Sequence, residues 1–148
     1  MRVILVSALV LVFLGCTKGK FTTKPQLKFK SVNLTTVSGN QELRISLDLT
    51  DKEGDYTSFL GVKKTVKSCP LSEFTDSSKF AIPGDFLASS EKEGEVVVSM
   101  KGSDRGSNGC NAPGGGLRPD TAVYLFWTKD KAGNVSDTAR TPTIIILN

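Results

Sequence analysis

The sequence has no histidine. Mechanisms that use an imidazole base, and metal sites built on imidazole, are therefore excluded. Aromatic residues are sparse: one tryptophan, two tyrosines and eight phenylalanines. No apolar run approaches the about 20 residues that a membrane-spanning helix needs. No window of helical length carries an amphipathic stripe, although Asp85 to Lys92 has room for one helical turn. Basic residues outnumber acidic ones only 19 to 15, for a net charge of +4. The aromatics are not interleaved with the basic residues, so no nucleic-acid surface is expected. The phosphate-cradling pattern G-x-x-x-x-G-K-[S/T] is missing. Ser89-x-x-Lys92 lacks the companion motifs that would make it an acyl-transfer site. These absences lead to the expectation of a non-enzymatic chain with no cofactor.

The N-terminus carries an address. Arg2 precedes an almost wholly apolar run from Val3 to Leu14, the length of a signal-peptide core. Phe13-Leu14-Gly15-Cys16 follows, and it resembles a bacterial lipobox. The resemblance implies removal of residues 1–15 and acylation of Cys16, with a diacylglycerol plus an amide-linked chain holding the protein to a membrane. Residues 16–26 then read as a lipidated terminus and flexible tether. Thr17 to Gln26 holds Lys18, Lys20, Lys24, Gly19 and Pro25 with one large apolar residue, Phe21, too little to fold alone. Its lysines suit the neighbourhood of anionic headgroups, and a solvated spacer reads equally well. Thr17, where an aspartate would signal inner-membrane retention, favours the outer membrane. With Cys16 acylated, Cys69 and Cys110 remain, and an even remainder in an exported protein suggests a disulfide. Closing that loop stabilises a fold by about 4 kcal/mol on chain entropy.

From residue 27 to 148 the dominant period is two. Leu43, Ile45, Leu47 and Leu49 alternate with polar residues; Val96, Val98 and Met100 form a second such row. Ala122, Tyr124 and Phe126 alternate with Val123, Leu125 and Trp127, so both faces are apolar and the strand is expected to be central. Thr143 to Leu147 fits a final strand. Ser58 to Lys67 and Lys79 to Ile82 are weaker candidates. Leu27 and Phe29 fall out of phase with Val32 and Leu34, which a bulge or a change of sheet would explain. Turn residues separate these runs. About seven or eight short strands in one all-β domain predict a β-sandwich.

Asp130-Lys131-Ala132-Gly133-Asn134-Val135-Ser136 resembles the D-x-A-G-N-x-S turn of bacterial immunoglobulin-like and fibronectin-type domains, where it joins the last two strands. Asp130 can accept from turn amides, and Gly133 and Asn134 tolerate positive φ. Leu47 to Asp55, a strand running into an acidic turn, resembles small lipoproteins of Bacteroidetes type. The resemblance implies a lipid-anchored immunoglobulin-like module of the cell envelope. One departure stands out: Trp127 follows both cysteines, so Cys69–Cys110 is not the core bridge of antibody domains.

Three constellations remain. Asp51, Glu53 and Asp55 place carboxylates on one turn, the oxygen-rich chemistry calcium prefers. The EF-hand pattern fails there, because Tyr56 occupies the position that requires glycine, and a solvated acidic turn is the competing reading. Residues 105–116 are glycine-rich and too polar for a core, so they read as a surface loop with potential for binding. Lys63, Lys64 and Lys67 form a basic group that strand alternation would divide, and they suit a solvated or edge-protecting strand. The function expected is a lipid-anchored, non-enzymatic interaction or structural module with an envelope protein partner. The alternative is a glycan-binding accessory lipoprotein of a polysaccharide-uptake system. Sugars stack on exposed aromatic rings; here Tyr56 falls in an expected loop, whereas Tyr124 and Trp127 read as buried.

Overall fold

The computed structural model describes residues 22–66, 78–82, 92–102, 110–111 and 117–147, and the account that follows concerns these. The signal segment, Cys16, Lys67, Cys69, residues 85–91 and all of the glycine-rich stretch except Cys110 and Asn111 lie outside them.

Two sheets form the body of the domain. β1 (Gln26–Val32), β3 (Leu43–Thr50) and β6 (Glu93–Met100) form the smaller sheet in the order β1-β3-β6. β2 (Thr36–Ser38), β4 (Phe59–Val66), β5 (Ser78–Ala81), β9 (Asp120–Trp127) and β11 (Ile144–Leu147) form the larger one, ordered β2-β11-β9-β4-β5. Three two-residue strands complete the set. β7 (Cys110–Asn111) pairs with β8 (Leu117–Arg118), and β10 (Ala139–Arg140) pairs with β9. The chain changes sheet after β1, β2, β3 and β5, and again between β6 and β9. The two sheets make an all-β sandwich in which β2 lies parallel to β11. No α-helix occurs among the described residues.

The alternation in the sequence decides which side chains meet between the sheets. Leu43, Ile45, Leu47 and Leu49 are all 0% exposed and face Leu60, Val62, Tyr124 and Phe126 of the opposing sheet. Fully burying such a side chain is worth about 1.5–3 kcal/mol. β9 is central as expected, paired with β4 on one side and β11 on the other. The phase slip at the start of the domain has both causes proposed for it. The β1–β3 register shifts between Phe29 and Ser31, and the chain then leaves the smaller sheet to form β2 in the larger one.

The D-x-A-G-N-x-S segment lies between β9 and β10. Asp130 is buried, and its carboxylate accepts from the Asn134 N–H at 2.7 Å and from Asn134 Nδ2 at 2.6 Å. Gly133 has φ 91°, a conformation side chains rarely adopt. Ser136 closes the turn: its Oγ accepts from the Thr128 N–H at 3.0 Å.

The lysine pair corrects one expectation. Alternation does separate Lys63 from Lys64, but β4 is not an edge strand, because β5 covers it. Lys64 points into the core, where its Nζ lies 2.9 Å from Asp120 Oδ2, and both side chains are 0% exposed. The carboxylate of Asp120, at the start of β9, offsets the cost of burying this lysine in an internal strand.

Candidate functional site

The two outward faces of the sandwich differ in chemistry. On the smaller sheet, β1, β3 and β6 bring charges of opposite sign side by side. Lys30 Nζ lies 2.5 Å from Glu95 Oε2 and 3.5 Å from Asp48 Oδ1. The hydrogen bond to Glu95 raises the Lys30 pKa and lowers that of Glu95. Arg44 and Lys101 both approach Glu42. A shallow depression of about 430 Å³ on this face is lined by Gln26, Lys28, Lys30, Asp48, Glu93 and Glu95. Its charges largely satisfy one another.

The larger sheet presents the opposite balance. Cross-strand partners project to the same side, so the register fixes its outer face. Gly61 lies opposite Trp127, Lys63 opposite Leu125, and Thr65 opposite Val123. Val123, Leu125 and Trp127 are half-buried along β9. The Gly61–Trp127 pair is a close fit. A Cβ at Gly61 would sit 2.6 Å from Trp127 Cζ2 and from Nε1, so the indole lies across the glycine. Beside it, Lys79 Nζ stands 4.5 Å from the Phe59 ring centroid, a cation–π contact. Three of the four exposed large apolar residues belong to this side: Ile145 at 40%, Leu147 at 38%, and Val135, which bridges to Lys129. Lys63, Lys79, Lys129 and Arg140 are exposed around this apolar row. Among the described residues none of the four forms a salt bridge. No acidic residue occupies an outward position on β2, β4, β5, β9, β10 or β11 among the described residues. Strand alternation in the sequence already marked the apolar row on β9. The surrounding cations come from four separate segments, and only the register brings them together.

The acidic turn does not assemble as a calcium site. Asp51 is 0% exposed and Asp55 half-buried, whereas Glu53 points to solvent. No three acidic side chains converge to hold a metal among the described residues. Asp130 is occupied by Asn134, and Asp137 by Lys24 Nζ at 2.6 Å. Asp51 serves the local fold: its Oδ2 accepts from the Asp55 N–H at 3.3 Å, while its Oδ1 is buried with no hydrogen-bond partner among the described residues. Burial first, and then the adjacent Asp55 carboxyl, raise the Asp51 pKa above the ordinary 3.8. A raised carboxyl pKa favours the folded state below 3.8, and that contribution is lost as pH rises through the folded value. Asp51→Asn is therefore expected to raise the melting temperature at neutral pH, with the gain shrinking to nothing on acidification. Melting curves of both proteins across that range check it; a gain independent of pH would contradict it.

Tyr56 sits differently from the exposed loop residue expected. It is 2% exposed, and its hydroxyl donates to the Lys92 carbonyl at 3.2 Å. Burial, with Asp51, Asp55 and Glu93 nearby, pushes its pKa up. It offers no ring for stacking on a sugar. Trp127, read as buried, is instead half-exposed on the outer face of the larger sheet. No family model matches the chain, and no curated protein matches its sequence.

Proposed function

We propose that this chain is a lipid-anchored, non-enzymatic module of a bacterial cell envelope, tethered through Cys16 and docking a protein through the outer face of its larger sheet. The observation that carries this reading is the inequality of the two faces. One is neutralised by its own ion pairs, whereas the other holds a half-buried apolar row ringed by four cations without salt bridges among the described residues. Partly covered apolar rows with a charged rim have the anatomy of association surfaces.

Two features support the envelope setting. The lipobox-like Phe13-Leu14-Gly15-Cys16 follows an apolar signal core. The described end of the tether is fastened to one end of the sandwich: Lys52 N–H donates to the Thr22 carbonyl at 3.0 Å, and Lys24 pairs with Asp137. An anchor joined at the strand ends presents the sheet faces sideways. A Cys69–Cys110 disulfide belongs to the same reading. It is supported by β4 ending at Val66 opposite Ala122, close along the chain to Arg118, the partner of Cys110. Cys16→Ala is expected to move the protein from the membrane to the soluble fraction. An unchanged distribution after fractionation would refute the anchor.

A further inference from the structure

We infer that the docked partner is a protein whose contact surface sets an acidic rim around an apolar centre; this inference rests on the interaction-module reading above. The centre of the face is supplied by Leu125, Trp127 and Ile145, half-buried or exposed on neighbouring strands. The rim is supplied by Lys63, Lys79, Lys129 and Arg140, which the fold leaves without salt bridges among the described residues. Lys63 and Arg140 are both in register with Leu125, one on each flank of β9. Lys79 is in register with Gly61, on the far side of the strand that faces Trp127. Charges of one sign therefore stand on both sides of the apolar row. A complementary surface needs carboxylates at the same spacing.

Charge also decides against the other occupants. A second copy docking face to face would set four cations against four, and like-charge juxtaposition costs several kcal/mol. A lipid surface is disfavoured by shape. Val123, Leu125 and Trp127 are half-buried in the sheet, and exposed Lys63 and Arg140 flank Leu125, so the row offers an acyl layer little apolar surface. A protein with acidic side chains around an apolar patch satisfies both parts. Trp127, held across Gly61, is its anchor residue, since buried aromatics carry most of the energy of such contacts.

The test uses the full-length lipoprotein in its own cells, carrying a benzophenone side chain at Ile145 or, on the opposite face, at Val97. Irradiation at Ile145 is expected to yield one protein adduct that Val97 does not give. The captured protein is then expected to bind the purified chain with an affinity that falls as salt rises. The pair Lys63→Glu and Lys129→Glu, both at exposed positions, is expected to weaken binding by about tenfold or more. Trp127→Ala is expected to weaken it by about thirtyfold. A protein captured at Ile145 whose affinity ignores salt and charge reversal would overturn the acidic rim and leave the module reading standing. No protein adduct at Ile145, or an adduct of lipid or glycan alone, would overturn both.

Discussion

Asp120→Ala is expected to destabilise the fold by about 3–5 kcal/mol. Asp120 and Lys64 are both 0% exposed, and the carboxylate stands 2.9 Å from the ammonium. Truncating the aspartate removes the carboxylate that faces the buried ammonium. The cost is then the desolvation of a charge together with the loss of a charge-assisted hydrogen bond. In a domain of this size the loss is a large part of the total stability. The pair is itself imperfectly satisfied, because Asp120 Oδ1 is buried with no hydrogen-bond partner among the described residues. Replacing both residues, as Lys64→Met with Asp120→Leu, is therefore expected to recover most of the loss. Urea unfolding of the single and double variants separates the two effects. A double variant as unstable as Asp120→Ala would show that the ion pair stabilises more than an apolar pair of similar size.

Gly61→Ala is expected to expel the Trp127 indole from its seat. A methyl group there would lie 2.6 Å from two indole atoms, closer than non-bonded atoms allow. The backbone pair Gly61–Trp127 is fixed by the β4–β9 ladder, so the side chain must give way. The indole is at the surface and can swing outwards, which limits the stability loss to about 1–3 kcal/mol. The optical effect should be larger than the thermodynamic one. Trp127 is the only tryptophan in the sequence, so its emission reports this site alone. A red shift with retained folding is the expected result. An unchanged spectrum would mean that the indole does not lie across Gly61. The same substitution disorders the centre of the docking face while leaving its cations in place.

The sandwich was largely legible because its core obeys a period of two. Leu43 to Leu49, Val96 to Met100 and Ala122 to Phe126 point inward as their alternation requires. β2 was not legible. It is three residues long, and only Val37 of its side chains is fully buried, so it leaves no pattern to detect. Lys64 and Tyr56 were misjudged for a common reason. Alternation tells which face a residue occupies but not what waits there, and their partners are 56 and 36 residues away along the chain. The acidic turn was read as a possible calcium ligand set, but a bend that buries Asp51 turns Glu53 outwards. The proposed docking face was half legible. Its apolar row lies on one strand, whereas Lys63, Lys79, Lys129 and Arg140 become neighbours only through the order β9-β4-β5 and the pairing of β10.

The most direct test of the proposed docking face is hydroxyl-radical footprinting of the protein in intact cells against the purified protein. A docked partner predicts that modification of Trp127, Leu125 and Ile145 falls in cells, while that of Val97 on the opposite face is unchanged. Equal modification of Trp127 in both settings would contradict the proposal that the larger sheet is where this protein binds.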